Sequence, residues 1–92
     1  MRVDVTQADL EGGIVSDPAE CPISLAVRRQ TGVRTLTGRF GPKMEWAVYL
    51  PHNNTVAILP QVAVTFAKKF DKAGKQAKAP GPFNLTFVES KP

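Results

Sequence analysis

From Leu59 to Gly74 the chain reads as a single amphipathic helix with a marked beginning and end, and the rest must be arranged around it. Pro60 suits the first turn of a helix, where its missing amide hydrogen would have had no intrahelical partner. Gly74 suits the position just past the last turn. At about 100° per residue, Val62, Ala63, Phe66, Phe70 and Ala73 share one face, while Lys68, Lys69 and Lys72 point away from it. Extended segments lie on both sides of this helix, so they are expected to pack against its apolar face.

Upstream, Arg2-Val3-Asp4-Val5 alternates like a short strand and runs into Thr6-Gln7-Ala8-Asp9, a helix start with Thr6 as cap and Asp9 three residues on. Gly12-Gly13 stops it, and residues 14–20 carry no period and read as a loop. A second helix starts near Cys21, with Pro22 in its first turn and Ile23, Ala26, Val27 and Gln30 on one side. It ends at Gly32, with Arg28 and Arg29 near the end where the helix dipole favours cations. Residues 33–40, 45–50 and 55–59 are rich in β-branched and aromatic side chains. Gly41-Pro42-Lys43 and Pro51-His52-Asn53-Asn54 are the turns between them. After the main helix, residues 75–81 form a polar linker. In residues 82–88, Phe83, Leu85 and Phe87 fall on one face of a half-buried strand.

The order strand, short helix, helix, three-strand meander, helix, strand predicts an α+β domain. Its small antiparallel sheet has four to five strands, with two main helices packed on one face. Ninety-two residues make a single domain, 1–92, with a core large enough to fold without help from metals or disulfides. Cys21 is the only cysteine, so no internal disulfide forms and no thiolate metal cluster assembles. No apolar run is long enough to cross a membrane, and the first residues lack a signal-peptide pattern, which together predict a cytoplasmic protein. The two Asn-x-Thr triplets at Asn53 and Asn84 are read as chance matches on that basis.

A net charge of +4 conceals a division along the chain. Residues 1–20 hold one base and five acids, whereas residues 21–80 hold ten bases and two acids. Such a division steers an anionic partner when the basic part is left bare, and only neutralises itself when the acidic segment folds back.

Chemical motifs are absent by the usual patterns. Cys21 and His52 are single examples of their kinds, and nothing in the spacing brings thiol and imidazole within the hydrogen-bond reach that nucleophilic catalysis requires. Asp4, Asp9 and Glu11 lack the spaced acids and glycine of a calcium loop. Gly38-Arg39-Phe40-Gly41 lacks the Gly-Lys-Ser/Thr ending of a phosphate loop. Neither a cofactor nor a catalytic residue is expected. Arg34 and Arg39 on the meander, near Phe40, Trp46 and Tyr49, together with Lys68, Lys69 and Lys72 on the main helix, form the candidate anion or nucleic-acid contact set. Cations interleaved with aromatics suit phosphate contact and base stacking.

At Cys21-Pro22-Ile23-Ser24-Leu25-Ala26, and again through Leu59-Pro60, Val62, Phe66, Phe70-Asp71, Gly74 and Pro82-Phe83-Asn84-Leu85-Thr86-Phe87, the sequence resembles a class of small phage- and prophage-encoded proteins of unknown function. That resemblance carries over no site residues. It implies an accessory protein acting stoichiometrically on a host factor or nucleic acid. The expectation is therefore a non-enzymatic protein that binds a protein partner or a second copy of itself, with nucleic-acid binding through the five basic residues as the alternative.

Overall fold

In the computed structural model, which describes residues 1–90, the main helix α3 runs Gln61–Ala73. Pro60 stays extended (φ −68°, ψ 161°) as its N-cap rather than entering the first turn. Its carbonyl accepts from the amides of Ala63 and Val64 at 3.0 and 3.1 Å. At the far end Gly74 adopts φ 61° and ψ −136°, a conformation open only to glycine, and leads into a 3₁₀ turn at Gly74–Gln76. Ala63, Phe66 and Phe70 are buried as expected, but Val62 is 48% exposed and Ala73 is exposed too. The buried arc runs from Phe66 through Phe70 and Ala63 to Ala67, and its centre lies about 90° around the helix from Val62. Both misplaced residues lie just outside that arc, on the side of Lys69.

Chain order gives β1 (Arg2–Val3), α1 (Gln7–Gly12), α2 (Pro22–Thr31), β2 (Leu36–Phe40), β3 (Glu45–Leu50), β4 (Thr55–Ile58), α3, β5 (Phe83–Asn84) and β6 (Val88–Glu89). The fold is α+β, with all strand pairs antiparallel. A four-stranded sheet has the order β2-β3-β4-β6, and β1 pairs with β5 in a separate two-stranded sheet. The expected closing strand is therefore two short ones. Val3 faces Phe83 in the small sheet, and four residues after Asn84 the chain reaches Val88, opposite Val56 in the large one. Phe83 and Leu85 are buried and Phe87 packs against the core, so the alternation of apolar side chains is real although the backbone partners change midway.

The capped first helix forms as its sequence specifies. Thr6 Oγ1 accepts from the Asp9 amide at 3.3 Å and Asp9 Oδ2 accepts from the Thr6 amide at 2.8 Å, a closed capping box. At its end, a Cβ on Gly13 would stand 2.8 Å from the Pro22 ring and 3.0 Å from the Asp9 carbonyl. Glycine is needed there because the start of α2 passes directly over it. Along α2, Pro22, Ile23, Ala26 and Val27 are buried. Gln30 instead lies in solvent and donates to the Arg2 carbonyl at 2.8 Å, tying α2 to β1.

Register assigns the two faces of the large sheet. Thr37 lies opposite Val48, Val48 opposite Ala57, Arg39 opposite Trp46 and Leu50 opposite Thr55, so these residues share one face. Val48, Ala57, Leu50 and Thr37 are all buried, which makes this the inner face. Phe66 and Phe70 of α3 line one cleft with Trp46 and Thr37 on that side, and Ser24 of α2 hydrogen-bonds Thr37 at 2.6 Å. Residues 75–81 are more than a polar linker, because Ala77 is buried in the core.

Candidate functional site

A cleft of about 230 Å³ opens where the loop before α2, the start of that helix, the inner sheet face and α3 meet. The loop contributes Ser16, Asp17 and Pro18, α2 contributes Pro22 and Ile23 with Cys21 as its cap, β2 contributes Thr37 and Gly38, β3 contributes Trp46, and α3 contributes Phe66, Ala67, Phe70 and Asp71. Each wall follows from a local preference. Pro22 fixes the entry of α2, Phe66 and Phe70 are four apart on the buried arc of α3, and Trp46 precedes the fully covered Ala47 and Val48 on β3.

One hydroxyl organises the junction of loop, helix and sheet. Ser24 Oγ has a single proton, and it donates this to the Pro18 carbonyl at 2.5 Å, since a carbonyl can only accept. Ser24 therefore accepts from the Thr37 hydroxyl at 2.6 Å, and from the Cys21 thiol at 3.6 Å. The Thr37 amide donates to the same Pro18 carbonyl at 2.9 Å, so this loop also covers part of the exposed edge of β2. Further along the loop, Asp17 Oδ1 accepts from the amides of Ala19 and Glu20 at 3.0 and 3.2 Å. Ser16 holds a left-handed φ of 60°, and its amide donates to Asp71 Oδ1 of α3 at 3.4 Å.

The acidic N-terminal segment folds back on α2. Arg29 Nη1 reaches Asp9 Oδ1 at 2.5 Å and Arg28 Nη2 reaches Glu20 Oε2 at 3.2 Å. Burial pushes the Asp9 carboxyl up, but the hydrogen bond from Arg29, the two from Thr6 and the positive charge of Arg29 together outweigh it. The group is held below the ordinary carboxylate range. Arg29 is raised by the hydrogen bond to Asp9, against a smaller opposing effect of burial.

The five sequence-predicted cations lie in three places. Arg34 precedes β2, Arg39 lies within it on the inner-face register beside Trp46, and Lys68, Lys69 and Lys72 ride on α3; all five are exposed. Lys68 and Lys72 are one turn apart. Lys69 turns instead toward a shallow groove with Val62, Thr65, Lys78 and Ala79. Cys21 and His52 are not brought together: Cys21 lines the cleft beside Trp46, whereas His52 sits in the turn beyond Leu50, about 20 Å further along β3 at a strand's rise per residue. Asp17 and Asp71 were missed by sequence reasoning. Their signal was contrast, since Asp71 is one of two acids among ten bases in residues 21–80 and Asp17 lies in a loop without any period.

The opposite sheet face is apolar as well. Leu36 lies opposite Tyr49, Tyr49 opposite Val56 and Val56 opposite Val88, while Ala47 lies opposite Ile58. Ile58 is 56% and Val88 57% exposed, and Phe40 and Tyr49 form a tilted aromatic pair with centroids 6.1 Å apart. Among the described residues, no helix is long and apolar enough to cross a membrane, and no three His, Cys, Asp or Glu side chains gather as a metal site.

The fold and cleft define the chain as a small α+β domain with an apolar pocket and an apolar outer sheet face. No protein-family model matches it, and neither the curated proteins nor the solved structures contain a match.

Proposed function

We propose that this chain is a non-enzymatic binding protein of the small phage-accessory type, acting stoichiometrically on a protein partner that covers the outer face of its sheet. The observation that carries the reading is the exposure of Ile58 and Val88 on the same register face as the half-buried Leu36, Tyr49 and Val56, the face opposite the one that carries Thr37, Val48 and Trp46. A patch of this kind is costly to leave in water and is typical of an interaction surface. Ile58→Glu with Val88→Glu tests it. The double variant should keep its melting behaviour and lose a host or phage protein that the wild type captures at one-to-one ratio, while Lys68→Gln with Lys72→Gln retains it. Capture unaffected by the sheet variant, or steady turnover of a small molecule, defeats the reading.

The alternative is nucleic-acid binding, favoured by one observation, the Phe40–Tyr49 pair on that outer face. Aromatic rings on an open antiparallel sheet stack bases, and exposed arginines contact phosphates: Arg34 precedes β2, while Arg39, on the inner register, would be met around the edge of that strand. This reading requires affinity for a single strand that falls steeply with salt, and affinity that ignores salt removes it.

A further inference from the structure

The cleft between loop 14–20 and α3 carries a charge opposite in sign to that of the whole chain. Asp17 and Asp71 are the only charged side chains in its lining, in a protein of net charge +4. Neither forms a salt bridge among the described residues, unlike Asp4, Asp9 and Glu20. Their hydrogen bonds come from backbone amides to Oδ1 alone, so among the described residues each carboxylate keeps Oδ2 without a protein donor. Below them the walls are apolar and aromatic, with Ile23, Phe66, Phe70 and the ring of Trp46.

We propose that this cleft binds a small organic cation, a protonated or quaternary amine carried on an apolar body. The inference goes beyond the partner-binding role assigned to the outer sheet face, and uses none of its residues. Size fits the assignment: a dry apolar cavity of about 150 Å³ accepts benzene, so the 230 Å³ here holds a ring and an ammonium group. Charge fits it as well. Two carboxylates beside low-dielectric walls attract a cation more strongly than in open water, and the Trp46 indole in the lining adds cation–π attraction to a cation lying over its ring. The start of α2 also borders the cleft, and a helix N-terminus favours anions. That pole amounts to only about half a charge, and Pro22 at its first position has no amide hydrogen to offer. The two carboxylates prevail.

Trp46 is the only tryptophan, so its emission reports on the cleft directly in the intact chain. Benzylamine, benzyl alcohol and benzoate share one ring and differ in charge. Titrated at neutral pH and low salt, benzylamine should change Trp46 emission saturably and bind about tenfold or more tightly than benzyl alcohol, with benzoate weakest. Asp71→Asn keeps the acceptor for Ser16 and removes the charge, and should weaken benzylamine by at least about threefold. Asp17→Asn does the same from the other side, keeping its loop-capping oxygen. Glu11→Gln, an equal change in net charge at an exposed residue outside the lining, should leave affinity unchanged. Equal binding of amine and alcohol, preference for benzoate, no saturable response to the amine, or a Glu11→Gln loss matching that of Asp71→Asn overturns the assignment.

Discussion

Arg29 Nη1 lies 2.5 Å from Oδ1 of Asp9, a carboxylate that is only 5% exposed and already closes the capping box of α1. The same guanidinium donates through Nη2 to the Asp4 carbonyl at 3.0 Å, so one side chain from the last turn of α2 fastens both α1 and the segment before it. Three of the five acids at the start of the chain, Asp4, Asp9 and Glu20, are held in internal ion pairs, and the bases of β2 and α3 are left in solvent.

Acid should loosen this arrangement first. The folded-state pKa of Asp9 lies below its unfolded value, so its contribution to stability is complete above the ordinary carboxylate range and is lost as pH falls through the depressed folded value. Asp9→Asn should cost about 1–2 kcal/mol at neutral pH, the usual size of a lost charged cap. The gap between variant and wild type should narrow steadily below about pH 4, as the wild-type carboxyl takes up its proton. Urea melts at a series of pH values check both statements, and a gap independent of pH would show that the charge of Asp9 contributes nothing.

The Ser24 junction predicts an asymmetry between two neighbours in one hydrogen bond. Ser24→Ala strands the Thr37 hydroxyl and takes one donor from the Pro18 carbonyl at a site with no exposure, and should cost about 1–3 kcal/mol. Thr37→Val preserves shape and leaves Ser24 donating to Pro18, so it should cost less than about 1 kcal/mol. Equal losses would show that stranding the Thr37 hydroxyl carries no cost of its own.

Helix α3 allows its orientation to be tested on adjacent turns. Phe70→Ala empties a site that is 1% exposed and should cost about 3–5 kcal/mol, most of the stability of a domain this small. Val62→Ser, on the margin of the same helix at 48% exposure, should stay within about 0.5 kcal/mol of wild type. The sequence pattern placed both on one face, so similar losses would favour that pattern over the observed rotation.

What was legible follows from which signals are local. Pro60 and Gly74, Pro22 and Gly32, and Thr6 with Asp9 each mark a helix end by their own backbone chemistry, and all three helices lie within a residue of those marks. The β3–β4 hairpin is equally local. Strand partnership is not: the alternation of Phe83, Leu85 and Phe87 says which side chains are buried, but is silent on whether the backbone pairs with β1 or with β4, and here it does both in turn. The cleft is hidden for the same reason. Its walls come from four separate stretches, 16–23, 37–38, Trp46 and 66–71, and Asp17 and Asp71 acquire a shared role only because Ser16 bends the loop onto α3.

The placement of the five candidate cations gives a quantitative prediction for nucleic acid. A single strand that engaged Arg34, Arg39, Lys68, Lys69 and Lys72 together would release counterions from five phosphates. The logarithm of its affinity would then fall with that of salt at a slope of about −3.5. Such engagement needs one surface, and the aromatic pair available for stacking lies on a different one: Phe40 and Tyr49 sit on the outer register face, whereas Arg39 is on the inner one and Phe66 and Phe70 of the lysine-bearing α3 line the cleft on that inner side. A strand stacked on Phe40 and Tyr49 of the outer face would be out of reach of the α3 lysines. Fluorescence anisotropy with a short labelled oligonucleotide should therefore give weak binding with a slope shallower than about −2, and the triple change Lys68→Gln, Lys69→Gln and Lys72→Gln should leave that slope unchanged. A slope near −3.5 that drops on removing the lysines would show that the strand wraps from sheet to helix around the edge at β2.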